Sequence, residues 1–173
     1  MRPVFASLVA AGILAGSVAA APVASAQQCQ QPKERSAFEV AGLKSQLMVI
    51  ALTCDVREKF NAFVLRYRPV LMAGEKGLNT YFSRVFGGHG QAAHDDYITQ
   101  LANAQSSNGL QRGTLFCQEN VGLFDEVMAL QKDGDLPDYA ANKHFIQPVA
   151  LETCSAPAPS TRTASAAGAA RKQ

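Results

Sequence analysis

The stretch from Ser36 to Cys54, SAFEVAGLKSQLMVIALTC, decides how this chain folds. Phe38, Ala41, Leu47, Ile50 and Cys54 recur at spacings that bring them near one face of an α-helix. From Leu47 to Leu52 every residue is apolar, so the second half of the helix is expected to be buried all round. Ser36 with Glu39 three residues on fits a capping box and would start the helix there. The apolar run is too short to span a bilayer. It reads as the central helix of a bundle.

Helical periodicity continues downstream. Asp55 is a candidate N-cap for a segment carrying Phe60, Phe63, Val64, Tyr67, Val70 and Leu71. Pro69 lacks a backbone donor and clashes with the preceding turn, so a kink or break is expected there. Leu78, Tyr81, Phe82, Val85 and Phe86 then make a short third helix, closed by the loop Gly87-Gly88-His89-Gly90. A fourth helix is expected over about Gln91 to Gln105, and a fifth over about Arg112 to Lys132. A short final helix is expected from Asp138 to Phe145. Val-Ile-Thr alternation is absent, so no strand is predicted. The expectation is an all-α, compact bundle of about five helices in one domain.

The flanks read differently. Arg2, a nearly uncharged run from Val4 to Ala21, and Ala24-Ser25-Ala26 before Gln27 make a secretory signal peptide over residues 1–26. Pro22 disfavours cleavage after Ala21. No lipoprotein box precedes Cys29, and no twin arginine is present. The bland alternative is an uncleaved anchor, but Val4 to Ala21 is mostly Ala, Gly and Ser. Residues 155–173 (SAPAPSTRTASAAGAARKQ) hold no large apolar side chain, so this tail is expected to be disordered. The folded body is then 27–154.

Export fixes the reading of the cysteines. Cys29, Cys54, Cys117 and Cys154 are four, an even number, in a chain bound for an oxidising compartment, which implies two disulfides. Cys29 with Cys54 is disfavoured, because the helix between them carries its ends too far apart for the preceding residues to reach back. Of the remaining schemes, Cys54 with Cys117 and Cys29 with Cys154 is preferred. The four are too widely spaced for a CxxC metal or thiol-exchange site, and no CxxCH motif is present.

Chemistry-bearing patterns are sparse. The formal net charge is +2, and three of the basic residues, Arg162, Arg171 and Lys172, lie in the tail. No basic stripe points to nucleic acid. A GxSxG elbow is missing, and the Gly87–Gly90 loop lacks the Lys and Ser/Thr of a phosphate loop. His89, His94 and Asp95, with Asp96 beside them, are the one metal candidate, since imidazole and carboxylate suit zinc. A five-residue gap separates the two imidazoles on a helix. Asp95 and Asp96 more simply complement the dipole of a first helical turn. Arg66 and Arg68 flank Tyr67 and could form an anion site or a solvated face. The aromatic run Phe60, Phe63, Tyr67, Tyr81, Phe82 and Phe86 could line a pocket but fits a core better.

The blocks LMVIALTC (47–54), KFNAFVLRYRP (59–69), YITQLANAQS (97–106) and GTLFC (113–117) resemble small exported proteins of alphaproteobacteria with no assigned activity. The resemblance covers about Phe38 to Met128. It implies a periplasmic address and a helical, cystine-containing body, and it brings no catalytic or ligand residues. The expected function is a non-enzymatic periplasmic protein without cofactor, contacting an envelope protein or a small ligand. Two other readings stand beside it: a metal-binding protein or metal-dependent enzyme using His89, His94 and Asp95, and an acid-stress holdase.

Overall fold

The structure, a computed structural model, describes residues 29–148 and residue 154. Residues 1–26, read from the sequence as a signal peptide, and the 155–173 tail lie outside the described residues. Within them the chain is all-α, with six helical segments: α1 (Pro32–Thr53), α2 (Arg57–Phe86), α3 (Gly90–Arg112), α4 (Leu115–Asn120), α5 (Gly122–Met128) and α6 (Leu136–Lys143). Three are long and three are short, where about five were expected.

Helix α1 starts four residues earlier than Ser36. Pro32 suits a first helical turn, and the capping box is Gln31 with Glu34, whose Oε2 accepts the Gln31 N–H at 2.8 Å. Glu39 is instead a buried mid-helix residue, 3.6 Å from Arg35. Burial all round holds over most of the second half, but Leu52 is exposed. At the α1–α2 turn Asp55 adopts a left-handed conformation (φ 54°), and Val56 takes the cap position that the sequence suggested for Asp55.

Pro69 does not break the chain. Helix α2 runs through it and absorbs both predicted segments into 30 residues. Pro69 and Leu65, four residues before it, both lie on the exposed side of α2, so water can serve the carbonyl that proline leaves unpaired. The predicted fifth helix is interrupted instead. Gly113 turns the chain at φ 57°, ending an α3 that runs past the predicted Gln105. The Asn120 side-chain amide then donates to the Phe116 carbonyl at 2.8 Å, competing with the backbone where α4 gives way to α5.

Helices α1 and α2 are antiparallel, Ala37 lying by Gly77 and Val40 by Gly74. Helix α3 is antiparallel to α2: Gly90 packs on the Phe82 backbone, and His94 faces Glu75. Two cores result, and α1 serves both. Its C-terminal half packs Leu43, Leu47 and Ile50 with Phe63, Tyr67, Phe116, Phe124 and Leu136. Its N-terminal half packs Ala37 and Phe38 with Leu78, Phe82, Tyr97 and Leu101. The aromatic run is thus divided between two cores, with Phe38 edge-on to Tyr81 and to Tyr97 at 4.9 Å in each case.

Polar ties lock the ends. Cys54 is bonded to Cys117 and Cys29 to Cys154. They close loops of 63 and 125 residues, worth about 4–5 kcal/mol each in the chain-entropy model. Arg66 is neither an anion site nor a solvated side chain. Its guanidinium donates to the Met128 carbonyl, to the Leu130 carbonyl at 2.6 Å and to Asp133 at 3.1 Å, while the Tyr67 hydroxyl donates to the Val127 carbonyl. These are the orphan acceptors where α5 ends. Arg68, by contrast, is exposed. At the other end, Arg84 clasps both Glu34 oxygens at 3.0 and 2.6 Å and donates to the Cys29 carbonyl at 3.0 Å.

Two predictions follow from this packing. A methyl at Gly77 would sit 2.7 Å from the Ala37 Cβ, which has no torsion to yield, whereas one at Gly122 meets nothing. Alanine gains about 1 kcal/mol over glycine inside a helix, but overpacking costs about 1–3 kcal/mol. Gly77→Ala is expected to be net destabilising and Gly122→Ala neutral or stabilising in urea unfolding of the oxidised protein.

The second concerns acid. Burial raises the Glu34 carboxyl, but its bonds to Arg84 and to the Gln31 N–H outweigh this and hold it below its ordinary 4.5. A carboxylate held down in the folded state contributes stability above its unfolded value, and loses it as pH falls through the folded one. Glu39 has the opposite sign, since burial raises it and its ionisation opposes folding. Thermal melts below about pH 5 should therefore show a shallower acid limb for Glu34→Gln, and Glu39→Gln should be stabilising at neutral pH.

Candidate functional site

The three long helices leave a space unfilled where they cross. Small residues, Ala41 on α1, Gly74 on α2 and Ala102 on α3, face a gap walled by Val40, Met48, Leu71, Leu78, Ile98 and Leu101. The result is a largely apolar cavity of about 70 Å³. Its axis follows α1, whose residues from Ala37 to Met48 form one wall.

Three polar side chains join this wall, and each is placed by its helix. Ser45 is 9 % exposed, and its hydroxyl has no hydrogen-bond partner among the described residues. Lys44, the preceding residue, is exposed, with no ion-pair partner among the described residues. Across the cavity, Glu75 is half-exposed, with Oε1 3.1 Å from His94 Nε2. His94 is buried edge-on against Phe82, ring centroids 5.4 Å apart, with Nδ1 3.4 Å from Asp95 Oδ1. The Glu75 contact is close, but too poorly aligned to count as a hydrogen bond.

Behind the cavity most polar groups are paired, Gln105 Oε1 being without a hydrogen-bond partner among the described residues. The Tyr97 hydroxyl donates to Gln147 Oε1 at 2.7 Å, and Gln147 Nε2 donates to the Phe38 carbonyl at 3.0 Å. Gln105 Nε2 donates to the Gly42 and Ile146 carbonyls at 3.0 and 3.2 Å. A Cβ at Gly42 would approach Gln147 Nε2 to 2.5 Å and Phe145 Cβ to 3.2 Å, so a larger residue there would displace the Gln147 amide. Burial drives the Tyr97 hydroxyl far above the ordinary tyrosine range, with the Glu39 charge adding to the shift. It is a fixed donor.

The sequence candidates are only partly gathered here. His94 and Asp95 are adjacent, but His89 lies exposed in the 3-10 turn Gly87–His89. Helix α3 begins at Gly90, so Asp95 and Asp96 sit beyond the first turn. They accept from the Gln91 and Gln100 amides at 2.8 and 2.6 Å instead of serving the helix dipole. Among the described residues no three His, Cys, Asp or Glu side chains are grouped to hold a metal ion. Sequence reasoning missed Glu75, Lys44 and Ser45. The spacing of Ala41, Lys44, Ser45 and Met48 along one side of α1 was the available signal, and it reads as an ordinary amphipathic edge.

An unpartnered buried hydroxyl opposes folding, whereas a paired one supports it. Ser45→Ala is expected to be neutral or to stabilise by up to about 1 kcal/mol. Tyr97→Phe, which strips Gln147 of its donor, should cost about 1–3 kcal/mol. Denaturant midpoints of the two variants against the parent check this contrast.

Compared with family models, with curated proteins and with solved structures, the chain finds no match.

Proposed function

We propose that this chain is a non-enzymatic binding protein of the bacterial periplasm that takes a small, largely apolar ligand between α1, α2 and α3. The observation that carries the reading is the cavity itself: apolar walls from three helices with few polar side chains, the lining of a small-molecule site in a space smaller than drug-sized ligands need. The two disulfides fit an oxidising, exported compartment. Among the described residues no helix is long and apolar enough to cross a membrane. The periplasmic address also rests on the signal-like residues 1–26 and on the resemblance to small exported proteins of alphaproteobacteria.

The metal reading draws less support, because His89 stands apart from His94 and Asp95. The holdase reading needs acid to loosen the bundle. Glu34 acts in that direction and Glu39 against it.

The cavity reading predicts saturable binding of a neutral alkyl probe, 1-octanol, to the oxidised protein. Ala102→Phe puts a ring into the gap and should weaken that binding at least about tenfold, on the scale of one to two kcal/mol of lost apolar contact. Titration calorimetry, with methyl shifts of Ile98 and Leu101 to locate the probe, makes the measurement. An Ala102→Phe variant that folds normally and binds octanol as before would overturn the reading.

A further inference from the structure

We propose that the cavity takes the alkyl end of a linear alkanoate, with the carboxylate seated at Lys44 and Ser45. This rests on the reading of the cavity as a ligand site and adds the ligand's class.

Shape selects the tail. The space is about 70 Å³, half of the ~150 Å³ that admits a benzene ring. The end of one unbranched chain fills such a space more closely than a ring system does. The walls offer it methyls and methylenes from Leu71, Leu78, Ile98 and Leu101.

Charge selects the head. Lys44 brings a cation to the wall without an ion-pair partner among the described residues. Ser45 brings a buried hydroxyl with none of its hydrogen bonds made, next in sequence on the same helix. Together they offer an ammonium and a spare O–H donor, which a carboxylate accepts and an alcohol or amine uses less well. Glu75, on the opposite helix, already faces His94 Nε2 at 3.1 Å. Its charge repels an anion from the α2 side and so directs the head toward α1.

The test compares octanoate, 1-octanol and octylammonium by titration calorimetry on the oxidised protein, its Lys44→Gln and Ser45→Ala variants, and Ala102→Phe. Octanoate is expected to bind tightest, by about three- to tenfold over octanol, the range of a partly exposed charge-assisted contact. Lys44→Gln should erase that advantage and leave octanol affinity unchanged. Ser45→Ala should weaken octanoate more than octanol. The advantage should shrink as salt is raised to about 0.5 M. Octanol binding as tightly as octanoate, or octylammonium binding tightest, would overturn the assignment of the head while leaving the cavity as a site. If none of the three binds saturably, or all bind Ala102→Phe undiminished, the cavity reading itself falls.

Discussion

One helix in contact with two cores is the constraint on which the molecule depends. Helix α1 gives Leu43, Leu47 and Ile50 to one cluster and Ala37 and Phe38 to the other. Neither cluster closes without it. This explains most of the apolar run that starts at Leu47, of which Leu47, Val49, Ile50 and Ala51 are buried. It also explains why α2 carries Gly74 and Gly77, since the two helices approach closely enough that Ala37 nearly fills the place of a Gly77 side chain. A larger residue there would separate α1 from α2 and disturb both clusters at once.

The covalent and polar ties act where this packing is weakest, at its ends. Cys54 joins the C-terminal end of α1 to α4, and Cys29, two residues before the α1 cap Gln31, is joined to Cys154. Arg84 and Arg66 do related work without covalent bonds. Arg84 holds Glu34 and the Cys29 carbonyl in one clasp. Arg66 satisfies carbonyls at the end of α5 that a seven-residue helix cannot satisfy for itself. Arginine suits both places because its planar fork delivers several donors along fixed directions.

Much of this was legible in the sequence where a local pattern coincides with a tertiary role. The all-α class and the core placement of Phe38, Leu47 and Phe63 follow from apolar spacing alone. Segment ends were less legible, and each departure has a local cause. Pro69 suggests a kink or a break because proline removes a donor, yet α2 continues through it, and on the exposed side water can make good the loss. The Arg112–Lys132 stripe was read as one helix because its apolar residues stay in phase. The phase survives the interruption at Val121, where the Asn120 side chain takes a backbone acceptor. Ser36 lost the capping role to Gln31 because Pro32 and Glu34 together make a better start. The cavity was the least legible feature. Ala41, Gly74 and Ala102 are unremarkable one at a time, and only the crossing of three helices places them around one gap.

The buried polar atoms separate what holds the fold from what the fold leaves available. Tyr97, Gln147 and Gln105 use their amides and hydroxyl to pin α3 and the segment after α6 onto α1. Four buried side-chain polar atoms among the described residues have no hydrogen-bond partner, and two of them, Ser45 Oγ and His94 Nε2, belong to the cavity wall or to the neighbour of its Glu75. A bundle selected for stability alone would place valine or alanine at position 45, because an idle hydroxyl costs free energy and alanine also favours the helix. Local rules are broken most often where a site is kept. A buried hydroxyl and a neighbouring lysine, neither with a partner among the described residues, and a narrow apolar gap occur together at one site, and a slender chain ending in a carboxylate satisfies all three.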